Sequence, residues 1–303
     1  MVSAGDGSSP LAVAVEDARA DVDRIIAAAT EADGTAPLSS DILRARSAGT
    51  SGLEEVIARV DGEVAGYAAV LNFRDGFPAI GEAVVDPAHR NVGMGGSLVS
   101  WILSTGGADA RVWAHGDLPS ARSVANRLGL VVLRELLQLR RPLDGDIPEP
   151  VVPDGVVIRT YTDADRAELL RVNNAAFSWH PEQGGWDDRQ IDERAAEPWF
   201  DPEGIFLAVE ADRPEHVLGF HWTKMHLEHP GLGEVYVVAV DPEARGRSLG
   251  GILTTIGMRY LRDRGADTVM LYVEADNERA VRTYDRVGFR RFYADVAYGR
   301  PAI

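Results

Sequence analysis

The stretch VYVVAVDPEARGRSLGGIL, residues 235–253, passes from an apolar run through a short basic turn into an apolar helix start. The apolar residues before Asp241-Pro242 predict a buried strand, and the glycine-bearing segment after them predicts the first turn of a helix. The first amides of a helix have no partner within the helix, and its N-terminus carries positive dipole character. Glycines at that point let an anion approach the backbone closely. The stretch is therefore predicted to hold a pyrophosphate group.

The same pattern occurs about half a chain earlier, in AVVDPAHRNVGMGGSLV at residues 83–99. A second similarity follows downstream, between ANRLGLVVLREL at 125–136 and YDRVGFRRFYAD at 284–295. A single period of about half the chain indicates two copies of a domain rather than a solenoid.

A linker is predicted between the two copies. Residues 140–155 combine four prolines with acidic residues and glycines, a composition typical of an extended connection. The boundary is predicted near Pro148, which gives domains at 1–147 and 148–303. The second copy predicts the order strand, two helices, three strands, helix, strand, helix, strand, and the first copy is predicted in the same order. The fold class is α/β, with two domains that each have a mixed, mostly antiparallel sheet flanked by helices.

Composition excludes several classes of function. The 303 residues carry a net charge of −16 and a pI of about 4.8, opposite in sign to what nucleic-acid binding or docking on an anionic membrane requires. No apolar run reaches membrane-spanning length, and the first residues lack the features of a signal peptide. The absence of cysteine excludes disulfides, thiolate metal sites and a cysteine nucleophile. We expect a cytoplasmic protein with small-molecule partners. The sequence does not give the oligomeric state, and a monomer is one of the alternatives.

Three nucleotide-binding motifs use such a turn. A Walker A loop needs Gly-Lys-Ser/Thr, and the single lysine, Lys224, lies elsewhere. A Rossmann motif follows its strand directly and near the start of its unit, whereas here Asp-Pro intervenes after the fourth strand. The pattern Arg-x-x-Gly-x-Gly, typical of acetyl-transfer enzymes that hold coenzyme A, is matched in full at 90–95. At 245–250 it is matched with Ser248 in place of the first glycine, where weaker accommodation is expected.

A helix signature supports this motif. The segment NERAVRTYDRVGF at 277–289 places Asn277, Ala280, Val281 and Tyr284 on one helix face. With it, both halves of the chain resemble the GCN5-related N-acetyltransferase (GNAT) family. The whole chain is similar to the mycothiol synthases, tandem acetyltransferases of actinobacteria, through NNAAF, HPEQGGW and FHWTK. The resemblance implies acetyl transfer from acetyl-CoA to the cysteinyl amine of cysteinyl-glucosaminyl-inositol, the last step of mycothiol biosynthesis, without a metal.

The resemblance also implies roles for individual residues. Backbone amides at 238–240 would polarise the thioester carbonyl, and the turn at 245–251 would hold the pyrophosphate. Tyr284 would protonate the departing thiolate, because an ordinary tyrosine pKa of about 10 is close to that of a thiol. Glu234 would receive the amine proton, directly or through water, or else position the substrate.

The predicted contacts with the cofactor lie in both copies. In the second copy they are Val238, Ala239, Val240, Arg245, Gly246, Arg247, Ser248, Leu249, Gly250, Gly251, Asn277, Glu278, Arg279, Ala280, Val281 and Arg282. In the first copy they are Ala83, Val84, Val85, Asn91, Val92, Gly93, Met94, Gly95 and Gly96. The residues predicted to bind the acceptor are Glu182, Lys224, Glu234, Tyr272 and Ser40, the last at a position that is acidic in the family.

The two copies differ at the proposed proton-transfer positions. Ala125 stands where the second copy has Tyr284, and Ala79 precedes Asp86 by the seven residues that separate Glu234 from Asp241. The first copy is therefore predicted to bind acetyl-CoA without carrying out chemistry. Two other interpretations stay open: a tandem acetyltransferase for another small amine, and an acyl-CoA-binding regulator, which would need neither Glu234 nor Tyr284.

Four histidines lie near the acceptor-binding residues of the second copy. Their spacing does not fit a metal site, and they are predicted to be surface or pocket-lining residues. They are His180, His221, His226 and His229.

Overall fold

The computed structural model describes residues 11–12, 15–72, 77–178 and 183–301. The chain divides into two units, one formed by residues up to 137 together with those from 293 onward, the other by residues 138–292. This division differs from the predicted domains, 1–147 and 148–303, because strand pairing places the last strand with the first unit. Within the described residues no helix is both long and apolar enough to cross a membrane.

The predicted order of elements is confirmed in both halves of the chain. The strands are β1 Leu11–Ala12, β2 Leu53–Val60, β3 Glu63–Leu71, β4 Ile80–Val85, β5 Arg111–Ala114, β6 Val131–Pro142, β7 Val156–Thr160, β8 Ile205–Glu210, β9 Val217–Met225, β10 Leu232–Val240, β11 Thr268–Glu274 and β12 Arg290–Gly299. The helices are α1 Arg19–Asp33, α2 Ser40–Ala48, α3 Met94–Thr105, α4 Pro119–Arg127, α5 Arg166–Ala176, α6 Asp188–Ala195, α7 Leu249–Asp263 and α8 Glu278–Arg286.

The first unit has a sheet in the order β1-β2-β3-β4-β5-β12. The pairs β1–β2, β2–β3, β3–β4 and β5–β12 are antiparallel, and β4–β5 is parallel. Side chains alternate along β3, so Tyr67 packs with α1 and α2 on one face and Ala68 packs with α3 on the other. The sheet is thus a middle layer between two helical layers.

The second unit repeats this plan. Its strands follow the order β11-β10-β9-β8-β7, with β10–β11 parallel and the other neighbours antiparallel. Phe220 and Trp222 of β9 pack with α5 and α6 on one face, and Leu218 packs with α7 on the other. The fold is therefore used twice, as predicted.

The face of the second sheet toward α7 contains a buried histidine. His221 has no exposed surface, and its Nδ1 lies 2.8 Å from the Leu253 carbonyl oxygen. Burial lowers its pKa to about 4, so the ring is neutral at neutral pH. A Cβ on Gly257 would come within 2.0 Å of this ring, which explains a glycine within α7. The prediction of a surface or pocket-lining His221 is wrong, because the β9 alternation turns it into the core.

Candidate active site

The two strand-to-helix turns share one backbone conformation. Asn91 and Gly93 have φ of 67° and 89° before α3, and Gly246 and Ser248 have φ of 92° and 60° before α7. Each turn therefore has left-handed residues at two alternate positions, and such conformations gather successive amides into an anion-binding concavity. In the first turn the glycine is the second of the two left-handed residues, and in the second turn it is the first. Ser248 adopts the conformation of the glycine that it replaces.

The Asp-Pro pair at the start of each turn fixes the direction of the chain. Asp86 accepts a hydrogen bond from the Ala88 amide at 3.0 Å and another from Arg24 of α1 at 2.7 Å. Asp241 is bonded by the amide two residues on and by Arg171 of α5. The hydrogen bond from Arg24 lowers the pKa of Asp86. At Asp241 burial acts to raise the pKa, but the hydrogen bonds from Arg171 and from the turn amide outweigh it, and the pKa is lowered. Both turns are thus anchored to the first long helix of their unit.

Glycine in the first turn of α7 is not required by packing inside the protein. A Cβ on Gly250 would meet nothing nearer than 3.8 Å, and a Cβ on Gly251 likewise. On α3, a Cβ on Gly95 would first meet Val124 at 3.5 Å. These are ordinary contacts, so the missing side chains leave the backbone amides open to a ligand.

The basic side chains of the two turns differ in their partners. Arg90 makes a two-pronged ion pair with Asp33 at 2.8 and 2.7 Å. Within the described part of the chain, the guanidinium groups of Arg245 and Arg247 make no hydrogen bond or ion pair. The turn of the second unit therefore presents positive charge for an anion, whereas Arg90 is already neutralised.

A cleft of about 330 Å³ lies beside the turn of the first unit. It is lined by seven of the nine predicted cofactor contacts: Ala83, Val84, Val85, Asn91, Gly93, Met94 and Gly95. Val92 and Gly96 are not in its wall, and Val92 is 62% exposed. The first turn thus faces a cavity as the sequence pattern requires.

Parallel strands diverge beside each turn. Pairing of β10 with β11 covers only residues 232–234 against 268–270, while β10 stays paired with β9 through Val240. The β11 side of Val238–Val240 has no strand partner among the described residues. In the first unit, pairing of β4 with β5 covers only Ile80 and Gly81. Free backbone groups at such an opening can bind a carbonyl oxygen.

A β-bulge places Glu234 on the sheet face that carries Lys224. The register of β10 with β9 shifts at Tyr236, between Val235 and Val237, so that Glu234 lies directly opposite Lys224. One extra residue reverses the faces of all residues before it, and bulges of this kind re-aim side chains. Without Tyr236 the Glu234 carboxylate would point to the other face of the sheet.

The bulge also corrects the comparison between the two halves. Strand β4 pairs with β3 without a shift, and Ile80 lies opposite Leu71. The two strand pairs can be aligned at Val85, which lies opposite Gly66, and at Val240, which lies opposite Gly219. Five residues further along β3 and β9, Ile80 lies opposite Leu71 and Glu234 lies opposite Lys224, so Ile80 is the counterpart of Glu234. The predicted counterpart, Ala79, is wrong by one residue because β4 lacks the bulge. The first unit still has no carboxylate at this position.

Polar and aromatic groups surround Glu234 and Lys224. His226 Nε2 lies 2.8 Å from Glu234 Oε2. The Lys224 ammonium lies 4.9 Å from the Trp199 ring centre and 5.6 Å from that of Tyr236, distances at which an ammonium is attracted to an aromatic ring. The position of Lys224 thus depends on two aromatic rings of the second unit.

Helix α8 carries the predicted tyrosine. Asn277 caps the helix by accepting a hydrogen bond from the Ala280 amide at 3.2 Å, and Tyr284 is half-buried against Phe289 at a ring distance of 5.8 Å. Burial raises the pKa of Tyr284 to about 12. The phenol is therefore a weaker acid than an ordinary tyrosine, whose pKa of about 10 the sequence-based prediction used. It is better suited to stabilise negative charge on a departing sulfur by a hydrogen bond than to transfer its proton completely.

The remaining predicted acceptor-binding residues have different surroundings. Tyr272 is 40% exposed, and its hydroxyl accepts a hydrogen bond from Gln138 at 2.8 Å. Ser40 is the exposed first residue of α2 in the first unit. Glu182 and His180 lie outside the described residues.

A buried ionic cluster in the first unit was not predicted. His115 Nε2 lies 3.1 Å from Glu82 and Nδ1 lies 3.3 Å from Asp295, while Glu82 also accepts the Ser39 amide at 2.6 Å. Burial alone would lower the pKa of His115, but its bonds to Asp295 and Glu82 raise it to about 10. The sequence shows only a histidine directly after a predicted strand. Its partners Glu82 and Asp295 are distant in the chain, so the cluster could not be predicted from the local sequence.

Comparison with known proteins identifies relatives of both halves. Residues 21–129 and 169–289 match the acetyltransferase (GNAT) family. A mycothiol acetyltransferase of Rhodococcus jostii is 54% identical over 93% of this chain and 94% of its own length. One of Nocardia farcinica is 55% identical over 91% of this chain and 92% of its own length. The crystal structure of a GCN5-related N-acetyltransferase from Sphaerobacter thermophilus has a TM-score of 0.72 at 27% identity, covering 97% of this chain and 96% of that one.

Proposed function

The chain belongs to the acetyltransferase (GNAT) family, and we propose that it transfers the acetyl group of acetyl-CoA to the cysteinyl amine of cysteinyl-glucosaminyl-inositol, the last step of mycothiol biosynthesis. Relatives that cover almost the whole chain at more than half identity carry the name mycothiol acetyltransferase. The proposal rests most on the opposed pair Glu234 and Lys224, which the bulge at Tyr236 turns to one face beside the diverging strands.

The turn before α7 would bind acetyl-CoA. Its left-handed residues and the unpaired amides of the first helical turn suit a pyrophosphate, and Arg245 and Arg247 add positive charge. Backbone groups at 238–240 would bind the thioester carbonyl oxygen and stabilise it as negative charge develops. The segment Asn277–Arg282 would flank the pantetheine arm.

The chemistry moves one acetyl group and two protons. The amine nitrogen forms a bond to the acetyl carbon and loses a proton, which Glu234 receives directly or through water. The carbon–sulfur bond then breaks, and the electron pair leaves with sulfur. Tyr284 would donate a hydrogen bond to that sulfur, which takes its proton from solvent, while Glu234 releases the amine proton to solvent. Lys224, Tyr272 and Glu182 would contact the hydroxyl-rich acceptor.

The two predicted domains, 1–147 and 148–303, would have unequal roles. The first would bind acetyl-CoA at the cleft beside its turn, through the residues named above. It would not acetylate, because apolar residues stand where the second has Glu234 and Tyr284. This arrangement supports a tandem enzyme with one catalytic site.

Product formation tests the proposal. The purified protein is mixed with acetyl-CoA and cysteinyl-glucosaminyl-inositol, and free CoA and acetylated product are followed by mass spectrometry. We expect stoichiometric product from the wild type and a kcat lower by roughly a hundredfold in Tyr284→Phe. The matched control is Tyr260→Phe in α7, whose hydroxyl is bonded to Asp201; its rate stays near that of the wild type. No product, while acetyl-CoA still binds, would contradict the acceptor and favour another amine or a regulator.

A further inference from the structure

His226 is bonded to the carboxylate that the proposed reaction uses. We propose that His226 is a positioning residue: its Nε2–H donates to Glu234 Oε2 and leaves Oε1 free for the acceptor amine. The inference rests on the proposed function of this site. The two atoms are 2.8 Å apart, and an ionised carboxylate can only accept, so the proton belongs to Nε2.

The hairpin between β9 and β10 holds His226 in place. The His226 amide donates to the Leu232 carbonyl at 3.0 Å, directly where β10 begins. The loop is closed further by hydrogen bonds from the His229 amide to the His226 carbonyl at 3.2 Å and from the Leu232 amide to the His229 carbonyl at 3.0 Å. The backbone of His226 is therefore fixed relative to the strand that carries Glu234.

Both side chains are largely removed from water. The His226 side chain is 14% exposed and that of Glu234 is 10% exposed. A charge-assisted hydrogen bond at such a position is screened little by solvent and restricts the rotation of a flexible glutamate. Ordering of this carboxylate before the acceptor arrives lowers the entropy that the reaction must lose.

Other charged groups lie near His226. Lys224 lies opposite Glu234 on β9, and Glu228 and His229 lie in the same loop, with the His229 ring centre 6.3 Å from that of His226. The exposed Glu228 has a lowered pKa, first because of its own backbone amide. Glu234 is thus the carboxylate to which His226 bonds directly.

The arrangement resembles a base held by an orienting partner. In such pairs the base works at one atom, while a second group fixes its direction through another atom. For Glu234 the direction is decided twice, by the bulge at Tyr236 through the backbone and by His226 through the side chain. A positioning role predicts an effect on kcat, since binding of acetyl-CoA at the turn does not involve this pair.

Three variants test the inference. His226→Phe keeps an aromatic ring without a donor, His226→Gln keeps an N–H donor, and His229→Phe is the matched control in the same loop. In the acetylation assay we expect kcat to fall about tenfold to a hundredfold in His226→Phe with the KM for acetyl-CoA unchanged. We expect His226→Gln to recover most of the rate and His229→Phe to match the wild type.

Two results would overturn it. One is a folded His226→Phe with the rate of the wild type; the other is a His226→Gln as impaired as His226→Phe. A wild type that gives no product would instead contradict the proposed function. The inference is then tested by nitrogen NMR of the imidazole: we expect the Nε2–H tautomer in the wild type and a mixture of tautomers in Glu234→Ala, and a dominant Nδ1–H tautomer in the wild type would refute it.

Discussion

The first unit has an apolar pair, Leu71 and Ile80, at the register position where the second unit has Lys224 and Glu234. The turns that follow these strands nevertheless share their backbone conformation, their anchoring aspartate and their open helix N-terminus. Binding of an anion by a turn needs only backbone geometry, which many sequences can provide. Chemistry at the sheet needs a specific carboxylate turned to a specific face. Both units meet the requirement for anion binding, and only the second unit meets the requirement for chemistry.

The opening between the diverging strands is a second difference. In the first unit, Glu82 of β4 bonds to His115, which directly follows β5, so an ionic cluster connects the two strands beyond their last paired residues. By register, Val237 stands in the second unit where Glu82 stands in the first. An apolar residue leaves that opening without such a connection. The first unit is thus built to hold the opening fixed, and the second to leave it accessible.

The matched pair Gly250→Asp and Gly95→Asp should give the largest effect. Both positions are second in their helix, where aspartate favours helix formation but repels a bound phosphate. We expect each variant to lower the affinity of its own turn for acetyl-CoA by roughly a hundredfold, or about 2.7 kcal/mol. Calorimetric titration should then show one site in each variant and two in the wild type.

Turnover by the same two variants decides which unit reacts. Gly250→Asp should lose acetylation at ordinary acetyl-CoA concentrations, and Gly95→Asp should retain it. If Gly95→Asp loses turnover as completely as Gly250→Asp does, the assignment of chemistry to the second unit fails.

The ionic cluster predicts a pH dependence of stability. The pKa of His115 is about 10 in the folded protein, above its ordinary value of 6.5. Its contribution is therefore fully present below about pH 6.5 and is lost as the pH rises toward 10. We expect the free energy of unfolding to fall by about 3.5 kcal/mol between pH 6.5 and 9.5, and this fall to be smaller in His115→Gln. Urea unfolding at both pH values measures it, and an equal fall in both proteins would mean that His115 is neutral in the fold.

The sequence alone predicts much of this architecture. Alternation of apolar residues, the Asp-Pro pairs and the glycines determine element order and the two turns, because these are local effects of backbone geometry. The bulge could not be predicted, since the apolar run VYVVAV fits either register, and only pairing with β9 shows that Tyr236 is the extra residue. The partners of His115 come from two distant segments, and the bond from His226 to Glu234 depends on the hairpin turn. Such contacts are decided by tertiary structure.

The left-handed residues of the turns give the smallest predicted effect. Ser248 has φ of 60° with no side-chain capping bond, a conformation that is unfavourable for serine by about 1 kcal/mol and free of strain for glycine. We expect Ser248→Gly to increase the affinity of the second turn for acetyl-CoA about twofold to fivefold. The matched control is Asn91→Gly in the first turn, which should change affinity less, because asparagine tolerates φ of 67° more readily. Calorimetry on both variants measures the difference. A weaker affinity in Ser248→Gly would mean that the serine hydroxyl itself bonds the ligand. Serine at this position of the second turn would then contribute to binding instead of only adding backbone strain.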